Sequence, residues 1–190
     1  AEMTEVQEKT IPVMLAGHDV IAKAPTGTGK TCAFGIPVAE HIDPEKKYPQ
    51  AVIMAPTREL AQQIAEELTE LTYFMPEVQV ACVYGGANME KQARRLAEGC
   101  QIVVATPGRL MDHYKHHSID LAHVTQVVLD EADEMLNMGF YKDVRHIIEL
   151  MKARKSLSMF SATISREVMD IGWLYQNNAE EITVQPREES

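Results

Sequence analysis

This sequence predicts an α/β fold: a mostly parallel central sheet with helices on both faces. Two observations carry the prediction. Short β-rich runs recur along the 190 residues, with helical patterns between them. Several of those runs are near-continuously apolar, as strands covered on both faces must be. Strands alternating with amphipathic helices build right-handed βαβ units, and so a parallel sheet. In such sheets ligands bind beyond the carboxyl ends of the strands.

The runs, in order, are "DVIAKA" (19–24), "AVIMA" (51–55), "VQVACVYG" (78–85), "QIVVA" (101–105), "QVVLD" (126–130), "SLSMFSA" (156–162) and "EITV" (181–184). A helical segment follows the glycine-rich stretch after the first run. In 57–71, Leu60, Ile64, Leu68 and Leu71 share one helical face, and in 140–151 so do Phe140, Val144, Ile147, Ile148 and Met151. No repeat, low-complexity tract or Gly/Ser linker divides the chain, so one domain is expected over residues 1–190.

Composition narrows the function classes. A hydrophobic fraction of 45% and a charged fraction of 24% exclude disorder. No apolar run approaches the ~20 residues that cross a bilayer, and "AEMTEVQEKT" opens the chain polar and acidic. A cytoplasmic protein with no membrane partner is expected. Cys32, Cys82 and Cys100 lie too far apart for a zinc site or a disulfide framework, so they read as free, mostly buried thiols. The net charge of −10 argues against strong stand-alone binding to nucleic acid.

The first strand runs into Pro25-Thr26-Gly27-Thr28-Gly29-Lys30-Thr31. Glycines let backbone N–H groups turn towards an anion, and the following helix N-terminus adds its positive dipole. Lys30 is placed to reach β- and γ-phosphates, and the Thr31 hydroxyl to ligate Mg²⁺. The P-loop pattern has glycine where this chain has Ala24. About a hundred residues on, Asp130 ends an apolar strand and Glu131 follows it. Asp130 is placed to hold Mg²⁺ through water, and Glu131 to orient or deprotonate an attacking water. The alternative for the pair is a solvated acidic helix start, which the helix dipole favours.

Asp130-Glu131-Ala132-Asp133 spells the signature of the DEAD-box ATP-dependent RNA helicases, and the resemblance runs along almost the whole chain in family order. Gln7 resembles the Q-motif glutamine that reads adenine. "APTGTGKT" (24–31) is similar to motif I, where the family often carries Ala first. "PTRELA" (56–61) resembles motif Ia, "GG" (85–86) a further family motif, "TPGR" (106–109) motif Ib, and "SAT" (161–163) motif III.

The resemblance implies a RecA-like P-loop NTPase domain that uses ATP and Mg²⁺. It implies nucleotide contacts from Gln7, Thr26, Gly27, Thr28, Gly29, Lys30 and Thr31, and an RNA backbone lined by Pro56, Thr57, Arg58, Gly85, Gly86, Thr106, Pro107, Gly108 and Arg109. For Arg58 and Arg109 the alternative is a structural arginine paired with a carboxylate. It also implies that Ser161, Ala162 and Thr163 act beside Asp133 to couple nucleotide state to closure of a second RecA-like lobe. One departure is Met3-Thr4, where the family usually has Pro-Thr before the glutamine. The adenine-stacking aromatic falls before Ala1, and nothing after "SAT" resembles the second lobe's motifs. A lobe without the arginines of its partner is expected to bind nucleotide, hydrolyse it poorly, bind RNA weakly and leave duplexes intact.

Other features are set aside. His113 and His117 in "HYKHH" lack the carboxylate of a metal-binding helix and read as a solvated helix end. His18 reads as turn, the eleven methionines as core filling, and Trp173 as packing the last helix on the sheet. A P-loop kinase or GTPase needs an acceptor site or a guanine-reading motif, and neither is found. A non-enzymatic single lobe that binds RNA or a partner protein is the third reading.

Overall fold

The computed structural model describes residues 2–27 and 29–185. Its centre is a sheet of strands β1 (Val20–Lys23), β2 (Ala51–Met54), β3 (Val80–Val83), β4 (Ile102–Ala105), β5 (Gln126–Asp130), β6 (Ser156–Ser161) and β7 (Glu180–Thr183). The spatial order is β3-β4-β2-β5-β6-β1-β7, with every pairing parallel. Each expected run forms a strand: 126–130 is matched in full, 181–184 is shifted one residue towards the amino end, and the other five are trimmed by one to four residues.

Alternation along β2 shows why these strands read as continuous apolar runs. Ala51 and Ile53 belong to one core cluster, Val52 and Met54 to the other, and all four are buried. The first cluster packs under α1 (Glu5–Leu15), α2 (Lys30–Glu40) and α3 (Arg58–Leu71). The second packs under α4 (Met89–Ala97), α5 (Pro107–Lys115), α6 (Ala132–Met135), α7 (Tyr141–Leu150) and α8 (Arg166–Tyr175). A one-residue slip in register would exchange the two faces, so the double burial fixes the alignment.

Local chemistry sets the element ends. Thr4 caps α1 by accepting from the Gln7 amide while the Gln7 side chain accepts from the Thr4 amide, a capping box. Thr57, Asn88 and Ser165 cap α3, α4 and α8 in the same way from one side. Leu136–Phe140 joins α6 to α7 across a kink, where Gly139, at the non-helical φ of +94°, turns the chain into α7. At the amino edge, the buried Asp19 carboxylate accepts from the Leu157 amide at 3.0 Å and the Asn177 amide at 2.8 Å, tying the starts of β1, β6 and β7 together.

Three expectations fail at the surface. Trp173 is 86% exposed, because α8 buries Val168 and Ile171 and Trp173 falls on the other side of the helix. Met3, Met138 and Met169 are about half exposed, so the methionines are not uniformly core. His113 is fully buried on α5, while His117 lies beyond the helix end at φ +59°. The cysteines divide, with Cys100 buried and Cys32 and Cys82 half-buried. No helix among the described residues is long and apolar enough to cross a membrane.

Candidate functional site

All the quoted motifs gather along one edge of the sheet, at the carboxyl ends of the strands. β1, β5 and β6 adjoin in the sheet, so the glycine-rich loop, Asp130-Glu131 and Ser161–Thr163 meet at one end. β2, β4 and β3 adjoin at the other end and bring Pro56–Arg58, Thr106–Arg109 and Gly85-Gly86 together.

At the first end, Gly29 sits at φ +93° and opens α2. A Cβ there would lie 2.7 Å from Thr4 Oγ1 and 3.1 Å from Gln7 Nε2, so the position admits only glycine. Gln7 Nε2 donates to the Gly29 carbonyl at 3.3 Å, which binds α1 to the loop. Thr28 lies outside the described residues, while Thr26 and Gly27 are exposed at the loop tip. Behind the loop, Lys30 Nζ stands 3.2 Å from Asp130 Oδ1, with both residues buried. Asp130 Oδ1 also accepts from the Glu131 amide at 3.0 Å.

Glu131 itself is held at φ +48°, ψ +52°, a left-handed conformation costly for a residue with a side chain. That turn ends β5 and starts α6. Burial pushes the Asp130 carboxyl up from its ordinary value, against the opposing pull of Lys30. Burial pushes Glu131 up as well, with Lys30 opposing and Asp130, Glu134 and Asp133 adding to the rise. A cavity of about 490 Å³ is lined by Gly27, Gly29, Lys30, Thr31, Glu67, Asp130 and Glu131, among others. A neighbouring cavity of about 430 Å³ lies between the loop and Met3–Val6. A larger cavity, about 750 Å³, lies elsewhere, lined by Tyr48, Tyr114 and Leu150 and by none of the motif residues.

Ser161 and Thr163 close a ring of hydrogen bonds with Asp133. The Asp133 amide donates to Ser161 Oγ at 3.0 Å, Ser161 Oγ donates to the Thr163 carbonyl at 2.7 Å, and Thr163 Oγ1 and its amide donate to Asp133 Oδ2 at 2.7 and 3.1 Å. Burial works to raise the Asp133 carboxyl, but the bonds from Thr163 and Ser161 outweigh it and hold the group below its ordinary value. Ala162 is half-buried between the two hydroxyl residues.

At the second end the motif residues differ in access. Pro56 and Pro107 are buried, Thr57 Oγ1 accepts from the Leu60 amide at 3.2 Å, and Thr106 is the N-cap residue of α5. Gly85 and Gly86 are exposed, with Gly86 at φ +83°, and Gly108 is half-buried against Phe140. The exposed Arg58 lies over the Tyr84 ring at 4.7 Å. Arg109 turns inward: Nη1 donates to the Ala87 carbonyl at 2.9 Å and to Gln92 Oε1 at 3.1 Å, and Nε stands 3.6 Å from Asp112. The carboxylate-paired alternative therefore describes part of Arg109's surroundings, while Arg58 stacks on an aromatic ring.

Sequence reasoning missed Tyr84, Gln92 and Glu67, which hold or line these two ends from outside the quoted motifs. It also missed α1 as a helix, although Thr4-x-x-Gln7 is a capping-box spacing.

A seven-stranded parallel sheet with these motifs at its carboxyl edge defines a RecA-like α/β domain of the P-loop class. The family model for the DEAD/DEAH box helicases matches residues 4–171, and the chain belongs to that family. It is 47% identical over 187 residues to the ATP-dependent RNA helicase CshA of Listeria monocytogenes, covering 98% of this chain and 36% of that protein. It is 44% identical over 180 residues to the ATP-dependent RNA helicase DeaD of Escherichia coli K12, covering 95% of this chain and 29% of that one. The chain thus spans about a third of these curated relatives. Among solved structures, a hypothetical ATP-dependent RNA helicase from Sulfolobus tokodaii superposes with a TM-score of 0.89 at 40% identity, over 97% of this chain and 53% of the other. A DEAD box protein from Methanococcus jannaschii does so at 0.89 and 38%, over 96% and 50%.

Proposed function

We propose that this chain is the ATP-binding lobe of a DEAD-box RNA helicase, acting in the cytoplasm with a second RecA-like lobe. The observation that supports it most is the buried Lys30–Asp130 pair at 3.2 Å, set behind a glycine loop at the carboxyl edge. A buried ammonium that lines a cavity large enough for phosphate groups is an anion site with its counter-ion already in place. The nucleotide phosphates would sit on the loop amides and the α2 N-terminus, with Lys30 turning towards them. Gln7 would read the base from α1.

The oxygen donors Thr31 and Asp130 suit Mg²⁺, which prefers oxygen ligands and keeps several waters. Bound there, the ion would neutralise charge that develops on the transferred phosphoryl group. Glu131, raised in pKa and turned out of the strand, orients the attacking water and receives its proton. Asp133, Ser161 and Thr163 then relay nucleotide state to the second lobe. RNA lies along Arg58, Gly85, Gly86 and the α3 and α5 N-termini, where backbone contacts carry no base sequence. For the lobe alone the chain's net charge of −10 keeps this binding weak and salt-sensitive.

The experiment is ATP turnover by the 190-residue chain, with and without single-stranded RNA, beside Mg·ADP binding measured by calorimetry. ADP binding without RNA-stimulated turnover is the expected result. Turnover that RNA stimulates would show that the chain completes its own active site. Selective binding of GDP over ADP would replace the helicase reading with a GTPase.

A further inference from the structure

Beneath the Gly85-Gly86 loop lies a buried polar network that none of the nucleotide chemistry uses. Gln92 of α4 is its hub. Its Nε2 donates to the Tyr84 carbonyl at 3.0 Å, and its Oε1 faces both Arg109 Nη1 at 3.1 Å and His113 Nε2 at 3.0 Å. Arg109 Nη1 also donates to the Ala87 carbonyl at 2.9 Å. The carbonyls on either side of Gly85-Gly86 are therefore both gripped from below, one by Gln92 and one by Arg109. The loop between them has two glycines and no side chain of its own to fix it.

The chemistry of the network determines the state of His113. Arginine has no acceptor, so the Gln92 oxygen must face Arg109, and the Tyr84 carbonyl requires the Gln92 nitrogen on its side. Both demands select the same amide orientation. The Gln92 oxygen can only accept, so His113 must donate from Nε2. Its Nδ1 is then a bare lone pair, and that atom is buried with no hydrogen-bond partner among the described residues. His113 and Arg109 stand four apart on α5, so their side chains share one face.

We infer that His113, as the neutral Nε2–H tautomer, is a positioning residue for the RNA contact. It completes the hub on Gln92 and so holds the Gly85-Gly86 backbone in the shape that meets a sugar-phosphate chain. The inference rests on the RNA reading given above for that loop. His113 touches no RNA; it acts through Gln92 and Arg109.

The test is the amide NMR spectrum of the 190-residue chain as wild type, His113→Leu and His113→Gln, with a single-stranded RNA oligonucleotide titrated into each. In His113→Leu the Gly85, Gly86 and Ala87 resonances move while those of Gly27 and Gly29 stay. The RNA concentration for half-saturation rises about tenfold, the size of one buried hydrogen bond, and Mg·ADP affinity is unchanged. Glutamine keeps a donor at this position, so His113→Gln restores both loop resonances and RNA affinity. Unmoved loop resonances in His113→Leu, or no restoration by glutamine, would overturn the inference. If His113→Leu does not fold, the wild-type ring nitrogens decide: a proton on Nε2 alone is expected, and a proton on Nδ1 refutes the network. Wild-type resonances that RNA leaves untouched would defeat the RNA reading, while the loop shifts would still judge the positioning.

Discussion

At the β1–β5–β6 end of the carboxyl edge, opposite charges are buried against each other. Lys30 and Asp130 pair at 3.2 Å, and Glu131 is bent into a left-handed turn beside them. At the β2–β4–β3 end, the buried groups are a glutamine and a neutral histidine, joined by one arginine that gives its donors to Gln92 and a backbone carbonyl. The first end stores charge that a ligand can take over. The second stores shape, because a glycine loop has no side chains to hold it and must be held from beneath. The two ends should therefore respond differently to substitution and to pH.

The largest effect belongs to the charged end. Lys30→Ala leaves a buried carboxylate without its partner, and removing one member of such a pair costs roughly 3 kcal/mol. Affinity for Mg·ADP should fall by roughly 100-fold, as loss of a charge-assisted contact to phosphate implies. Calorimetry and urea unfolding read the two quantities, and unchanged ADP affinity in a folded variant would remove Lys30 from the phosphate site.

Next is the hub of the neutral end. Gln92→Leu strands the Tyr84 carbonyl and His113 Nε2, at a cost of about 2 kcal/mol, yet it should leave ADP affinity alone. A large loss of ADP binding in this variant would dissolve the contrast between the ends.

A smaller effect depends on pH. Burial lowers the pKa of His113, Arg109 and His116 lower it further, and Asp112 opposes them. Its folded pKa is thus below the ordinary histidine value of about 6.5. Below that value the unfolded chain binds a proton that the folded chain refuses, so the stability His113 provides is present above about pH 6.5 and is lost as the pH falls. Urea midpoints at about pH 7.5 and about pH 5.5 should drop further for wild type than for His113→Gln. Equal drops would mean that His113 takes up its proton in place.

The smallest effect is that of Trp173→Ala, which should change stability by no more than about 0.5 kcal/mol, because the ring is 86% exposed. A loss several times larger would restore the packing role that its composition suggests.

How much of this was legible in the sequence follows the same division. The central strands β2, β4 and β5 are readable because they are buried along their whole length and so read as near-continuous apolar runs, whereas the edge strand β7 buries Ile182 alone. That Lys30, Thr31, Asp130 and Glu131 come together is readable because each stands at a strand end or just after the loop that follows one. The exposure of Trp173 is hidden from the sequence because "VMDIGWLY" is apolar around most of the helix, so composition cannot select the buried face. The burial of His113 is hidden for the opposite reason: it stands in the polar run "HYKHH", and its partner Gln92 lies 21 residues away on another helix. Periodicity records which face is buried, but not which polar group waits there.

The most direct measurement of the two-ended edge is an amide-resolved titration of this chain, first with Mg·ADP and then with single-stranded RNA. ADP is expected to move Gln7, Gly27, Gly29 and Thr31, and RNA to move Arg58, Gly85, Gly86 and Gly108 in a separate set. RNA that shifts the glycine-rich loop and leaves Gly85 and Gly86 in place would contradict this separation.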